Sequence, residues 1–230
     1  MTKIYCDIAD LILIKKYNKK NLVKGFTTNP SLIRKAGAKN YINYCRNILE
    51  TTSKPISIEV FADDEKNILK QARIINKLGK NVYVKIPVTD TSGKFLGKVI
   101  SNLNKENIKL NITAVYSHNQ TIKILKKINK RTKVIISIFA GRMSDAGKDP
   151  IKQIKKSISL SKKYKNVEIL WASTREPYNY LQAQKLNCHI ITVPPAIIEK
   201  IEKFGKSFQK LTADTVKGFL LDSKKSKFKL

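Results

Sequence analysis

Short runs of β-branched and aromatic residues alternate with longer amphipathic segments along the whole chain. The β-rich runs predict eight strands, at 3–7, 22–26, 56–60, 82–86, 109–112, 134–138, 167–171 and 189–192. Between them, apolar residues at three- and four-residue spacing predict helices, of which the clearest are 63–78, 92–105, 118–129 and 149–164. Asp63 and Asp64 suit the start of the first of these helices, and Gly79 suits its end.

Eight alternating β and α units in 230 residues predict an α/β fold, a single-domain (β/α)8 TIM barrel. We assign residues 1–202 to the barrel and residues 203–230 to a C-terminal helix and basic tail of the same domain. A doubly wound open sheet is the alternative fold. Its Gly-x-Gly-x-x-Gly fingerprint does not follow the first predicted strand.

The barrel prediction assigns each strand one outward and one inward face. The outward positions are apolar, as in Val82, Val84 and Ile86 of the fourth strand. The inward or closing positions near the C-terminal strand ends are mostly polar: Asp7, Thr27, Asn29, Glu59, Lys85, Asn111, Thr113, Ser137, Phe139 and Ser173. Each buried polar group needs a partner or water, so packing alone does not explain so many on one rim. The rim is therefore predicted to be a functional site.

Lys85 carries the most specific chemistry on this rim. An unpaired ammonium is costly inside an apolar strand, and a neutral amine is a nucleophile towards carbonyl groups. A Schiff-base enzyme is the sharper hypothesis. The alternative is a lysine with a buried stem whose charged end reaches water. The polar neighbours predicted for Lys85 favour the enzyme.

Composition changes this interpretation little. The net charge of +29 suits polyanions, but the lysines are spread along the chain and mostly fall on predicted helix faces. A non-catalytic polyanion-binding barrel is kept as a third hypothesis. Three scattered cysteines, no signal peptide and no run of ~18 apolar residues predict a reduced cytoplasmic protein. His118 and His189 are interpreted as structural, and the run 224–229 as a frayed basic tail.

Five segments resemble signatures of the transaldolase family, in the family's order. They are Gly25–Ser31 (GFTTNPS), Val84–Thr89 (VKIPVT), Asn111–Ser117 (NITAVYS), Ser137–Arg142 (SIFAGR) and Ala172–Pro177 (ASTREP). The segment Leu211–Leu220 also resembles the family's C-terminal helix. The chain is most similar to the short bacterial branch, which includes transaldolases and fructose-6-phosphate aldolases.

The resemblance implies transfer of a dihydroxyacetone unit from sedoheptulose 7-phosphate or fructose 6-phosphate to an aldose phosphate, in the pentose phosphate pathway. Lys85 would form the Schiff base, Asp7 would take the proton of the C4 hydroxyl, and Glu59 and Thr113 would hold a proton-moving water. Asn29 would assist at the Schiff base or a substrate hydroxyl. The other implied substrate contacts are Thr27, Asn111, Ser137, Phe139, Arg142, Ser173 and Arg175, with the last three residues around the phosphate. No metal and no cofactor are implied.

Two positions favour transfer over cleavage. The fructose-6-phosphate aldolases carry Gln at the position of Glu59 and Tyr at that of Phe139, and a tyrosine there would favour release of free dihydroxyacetone. Such an aldolase is the alternative function.

Three positions depart from the family pattern. Trp171 replaces a small residue and is predicted to point into the barrel mouth, Glu176 replaces Asn beside the phosphate site, and Ile138 replaces Pro. The resemblance also implies a homo-oligomer, a pentamer or decamer, because the C-terminal helix of short relatives packs on a neighbouring subunit. Besides sugar phosphates, we expect no specific nucleic-acid partner and no membrane.

Overall fold

Eight parallel strands close into a barrel in a computed structural model that describes residues 1–226. The strands are β1 Lys3–Asp7, β2 Val23–Thr27, β3 Ile56–Glu59, β4 Val82–Pro87, β5 Leu110–Val115, β6 Val134–Phe139, β7 Val167–Ala172 and β8 Ile190–Val193. Each strand pairs with its neighbours in sequence, and β8 pairs with β1. The (β/α)8 prediction is therefore confirmed.

Helices follow the strands around the outside of the barrel. They are α1 Leu11–Asn18, α2 Pro30–Lys35, α3 Tyr41–Thr51, α4 Glu65–Asn76, α5 Gly97–Lys105, α6 His118–Leu125, α7 Ala140–Asp145, α8 Ile151–Ser161, α9 Tyr178–Lys185, α10 Pro195–Ile201 and α11 Phe208–Ser226. Asp64 caps α4, as predicted, by accepting a hydrogen bond from the backbone N–H of Asn67. The helix predicted from residue 92 starts later, because Asp90 accepts hydrogen bonds from the N–H groups of Ser92 and Lys94 and so stabilises a turn.

Two apolar layers match the predicted faces of the strands. The outer layer joins the strands to the helices and contains Val82, Val84 and Ile86. A smaller inner cluster fills the barrel with Tyr5, Tyr83, Ile135, Leu170, Ala172 and Ile190. This inner cluster closes the barrel core, while the polar side chains lie towards the C-terminal strand ends.

The predicted orientation of Trp171 is wrong. Its side chain is 2% exposed and packs in the outer layer, while Leu170 and Ala172 line the barrel interior. Strand alternation requires this arrangement, since neighbours on a strand point to opposite faces. Ser173 nevertheless reaches the interior because its φ of 63° breaks the alternation where β7 ends.

A second irregularity lies in β5. Its register against β6 shifts between Ile112 and Val115, where Ala114 has a φ of 58°. This bulge lets Thr113 line the interior while Val115 packs in the outer layer.

The C-terminal helix α11 extends to Ser226 and has no buried residue. The predicted frayed tail is wrong for Lys224 and Lys225, which are helical, and residues 227–229 lie outside the described residues. None of the helices between residues 1 and 226 has the length and hydropathy of a membrane span.

Candidate active site

A cavity of about 230 Å³ opens at the C-terminal ends of the strands. Eleven predicted site residues line it: Asp7, Thr27, Asn29, Lys85, Asn111, Thr113, Ser137, Phe139, Arg142, Ser173 and Arg175. Leu170, Ala172 and Thr192 complete the lining. The twelfth predicted residue, Glu59, contacts the site through Lys85. The barrel thus brings together residues from all eight strands or the segments that follow them.

Lys85 is a buried cation with two partners. Its side chain is 9% exposed, and its Nζ lies 3.0 Å from Glu59 Oε2. It also donates a hydrogen bond of 3.0 Å to the carbonyl oxygen of Thr28. A lysine that only extends to water would not need these contacts, so the structure favours the functional interpretation over that alternative.

Asp7 lies at the end of a hydrogen-bonded chain of side chains. The hydroxyl of Thr27 donates to Asp7 Oδ1 at 2.7 Å and lies 2.6 Å from the hydroxyl of Thr192. Burial raises the pKa of Asp7, although the charge of Lys85 and the hydrogen bond from Thr27 act in the opposite direction. A carboxylate with a raised pKa is a stronger proton acceptor, which suits a general base.

A polar network fixes the amide of Asn111. Its Nδ2 donates to the hydroxyl of Ser57 at 2.9 Å, and its Oδ1 accepts from the hydroxyl of Ser137 at 2.7 Å. These two bonds define which way the amide faces. The hydroxyl of Thr113 is buried and has no hydrogen-bond partner among residues 1–226.

Asn29 has two roles available. Its Oδ1 caps α2 by accepting from the N–H of Leu32 at 2.9 Å. The amide NH₂ therefore remains as its donor towards a ligand in the cavity.

Two arginines form the other side of the cavity. The guanidinium of Arg142 lies 5.6 Å from the ring centroid of Phe139. Arg175 is paired with Asp145, whose Oδ1 is 3.0 Å from the arginine Nε. Helix α7, which carries Arg142, packs tightly against the end of β7, because a Cβ at Gly141 would lie 1.7 Å from the carbonyl oxygen of Ser173.

The histidines lie elsewhere. His189 Nδ1 accepts a hydrogen bond from the N–H of Ile169, and His118 Nδ1 contacts Gln153. Within the described residues, no group of three or more His, Cys, Asp or Glu side chains is placed to hold a metal ion.

Residues 4–230 match the family model described as Transaldolase/Fructose-6-phosphate aldolase. The chain belongs to this family. It is 34% identical over 202 residues to a "probable transaldolase" of Thermoanaerobacter sp. (strain X514), covering 87% of this chain and 89% of that protein. It is 33% identical over 221 residues to a "probable transaldolase" of Methanococcus maripaludis, covering 96% of both chains.

Solved structures confirm the barrel alone. An N-acetylneuraminate lyase from Mycoplasma synoviae aligns with a TM-score of 0.57 at 9% identity, covering 82% of this chain and 68% of that one. A dihydrodipicolinate synthase family protein from Coccidioides immitis aligns with a TM-score of 0.60 at 12% identity, covering 92% of this chain and 75% of that one.

Three site residues of this transaldolase-family chain were missed by sequence reasoning. Ser57 and Thr192 occupy inward positions of β3 and β8, so strict strand alternation would have found them. Asp145 has no such signal, because its contact with Arg175 joins the end of α7 to the loop after β7. Among the departures from the family pattern, Ile138 is fully buried in the outer layer, and Glu176 is exposed with its N–H bonded to Asn179.

Proposed function

We propose that this protein is a transaldolase that transfers a dihydroxyacetone unit between sugar phosphates through a Schiff base at Lys85. One observation carries the proposal: the buried Lys85 Nζ lies 3.0 Å from Glu59 Oε2 in a cavity that Asp7, Arg142 and Arg175 also line. The site therefore combines an amine, a proton acceptor and two arginines that can donate hydrogen bonds to a substrate phosphate. The family assignment supports the same chemistry.

Schiff-base formation starts with proton transfer from the ammonium of Lys85 to Glu59. The neutral amine attacks the C2 carbonyl carbon, forming a C–N bond as the C=O π pair moves to oxygen, and a proton then moves from the nitrogen to that oxygen to leave a hydroxyl on C2. That hydroxyl departs as water after taking a proton from Glu59, which gives the iminium. The buried hydroxyl of Thr113 suits a water-positioning role, because it has no other partner within residues 1–226.

Carbon–carbon cleavage uses Asp7. Its carboxylate accepts the proton of the C4 hydroxyl while the C3–C4 bond breaks, and that bond's electron pair moves into the iminium to form an enamine. The aldose product leaves. The enamine C3 then attacks the carbonyl carbon of an acceptor aldehyde, which re-forms the iminium, and Asp7 returns its proton to the new hydroxyl. Water adds to C2 in the reverse of iminium formation, which breaks the C–N bond and releases the ketose product from Lys85. Phe139 offers no proton donor to the enamine, which supports transfer rather than release of dihydroxyacetone.

Borohydride trapping tests the central step. Fructose 6-phosphate with borohydride should leave a reduced three-carbon unit on the tryptic peptide that contains Lys85. Lys85→Ala should lose this adduct and all transfer to erythrose 4-phosphate. Lys70→Ala, which removes an exposed lysine of α4, is the matched control and should retain both. An adduct on another lysine would refute the mechanism.

An aldolase that releases free dihydroxyacetone is the second candidate, because the family description covers fructose-6-phosphate aldolases too. The two activities separate in one assay. Dihydroxyacetone released from fructose 6-phosphate without an acceptor, at a rate equal to that of transfer, would favour the aldolase.

We also propose that the chain forms a homo-oligomer through α11. Its exposed apolar side chains are Phe208, Leu211, Val216, Phe219, Leu220 and Leu221, of which Phe208 is 89% and Phe219 70% exposed. Exposed apolar surface of this kind favours association. Light scattering after gel filtration should give several subunits for the wild type and fewer for Phe219→Asp. An equal mass for both would contradict this interface.

A further inference from the structure

Arg175 is held at two points by groups outside the predicted catalytic set. Its backbone N–H donates to Asn179 Oδ1 at 3.1 Å. Its side-chain Nε donates to both oxygens of Asp145, at 3.0 and 3.1 Å, and its Nη2 donates to Asp145 Oδ2 as well. The carboxylate therefore occupies the Nε–Nη2 edge of the guanidinium.

Asp145 pairs with Arg175 but is not part of the cavity lining. Arg142 and Arg175 both line the cavity. The other edge of the guanidinium, formed by Nη1 and Nη2, thus remains available. That edge matches two oxygens of a phosphate group. Asp145 stays ionised in the working range, because its hydrogen bonds from Arg175 hold its pKa below the usual value.

We propose that Asp145 is a positioning residue for phosphate recognition: it clamps one edge of Arg175 so that the free edge faces the substrate's phosphate. This inference rests on the proposed function for the identity of the substrate. It adds a residue that contacts no substrate and acts through Arg175, with which it forms an ion pair.

Removing Asp145 has two opposing physical effects. The freed arginine must be ordered when phosphate binds, which weakens affinity by about 3- to 10-fold for one flexible side chain. Loss of a negative charge near the site strengthens anion binding. The side chains of Arg175 and Asp145 are 47% and 53% exposed, so solvent screens this second effect. The ordering effect should therefore outweigh the charge effect, and removal of Asp145 should weaken phosphate binding.

Binding of glycerol 3-phosphate tests the inference by calorimetry, because this ligand has no carbonyl and cannot form a Schiff base. Asp145→Asn should raise its Kd about 3- to 10-fold, and Asp145→Glu, which can still pair with Arg175, should recover most of the affinity. Asp149→Asn is the matched control. It removes the same charge from a nearby exposed side chain that bonds the N–H of Ile151, and it should leave the Kd within about twofold.

An unchanged or lower Kd in Asp145→Asn, or an equal rise in Asp149→Asn, would overturn the inference. Circular dichroism of each variant should match the wild type, since the altered side chains are exposed. In the transfer assay, Asp145→Asn should raise KM for the phosphorylated donor while kcat stays within about twofold. If no transfer occurs in any form but the glycerol 3-phosphate pattern holds, the proposed function fails and the role of Asp145 stands.

Discussion

The ion pair of Lys85 and Glu59 gives the sharpest prediction on stability. We consider Glu59→Gln, Lys85→Met and the double variant. The two charged atoms are 3.0 Å apart, and the side chains are 9% and 19% exposed. At an effective dielectric constant of about 20, their attraction is about 5.5 kcal/mol. The desolvation cost of each ion cancels in the double-mutant cycle, but in each single variant the remaining ion relaxes towards water and other polar groups. The measurable coupling should therefore be smaller, about 2–4 kcal/mol.

Urea unfolding followed by circular dichroism measures each free energy of unfolding, at one protein concentration because assembly would add to stability. Glu59→Gln should be destabilised most, since it removes the carboxylate charge 3.0 Å from a buried ammonium and leaves it neutral carbonyl acceptors, such as that of Thr28. The double variant should be more stable than the sum of the single losses predicts. A coupling below about 0.5 kcal/mol, the level of an exposed pair, would refute the view that Lys85 is a buried cation held by Glu59.

Three further predictions concern Asp7, Gly141 and Thr113. Because burial raises the pKa of Asp7 in the folded state, the stabilising effect of its protonated form is full below the unfolded pKa and is lost as pH rises through the folded value. The free energy of unfolding of Asp7→Asn should therefore rise relative to that of the wild type as pH rises. Over the same range, the transfer activity of the wild type should fall as pH drops. A stability difference that does not change with pH would contradict this prediction. Gly141→Ala should unfold at a lower urea concentration and bind glycerol 3-phosphate more weakly, since its Cβ would lie 1.7 Å from the carbonyl oxygen of Ser173. The control Gly218→Ala, whose Cβ would have no atom within 4 Å, should lose neither stability nor affinity. Equal losses of stability and affinity in the two variants would contradict the prediction. Thr113→Val should keep its free energy of unfolding within about 1 kcal/mol of the wild type, because the buried hydroxyl has no partner in the described chain. The same variant should slow Schiff-base trapping about 100-fold or more. Unchanged trapping would exclude Thr113 from the water site.

Local pattern was enough to predict the barrel and most of its rim. Alternation with a period of two is a property of each strand by itself, so the inward positions of Lys85, Asn111 and Ser137 followed from their neighbours in sequence. The same rule would have placed Ser57 inside. Counted back from Ser173 it places Trp171 inside, which is wrong because the left-handed backbone at Ser173 breaks the alternation.

Positions where the backbone departs from regular strand geometry were not readable in this way. Ser173 lines the cavity because its φ is 63°, and Val115 returns to the outer layer because of the bulge at Ala114. Serine and alanine do not by themselves favour a left-handed conformation. At Ser173 and Ala114 that conformation is stabilised by packing across neighbouring strands and loops.

The sequence by itself determined the strand order, the polar rim and the inward position of Lys85, because these depend on residue type and short-range periodicity. Only the tertiary structure decided which groups pair: Lys85 of β4 with Glu59 at the end of β3, and Arg175 in the loop after β7 with Asp145 at the end of α7. Such pairs depend on distances between elements that close the barrel, and strand periodicity carries no information about them. Residue type and strand periodicity thus determine which side chains face the site, but the ion pairs among them depend on how the elements come together when the barrel closes.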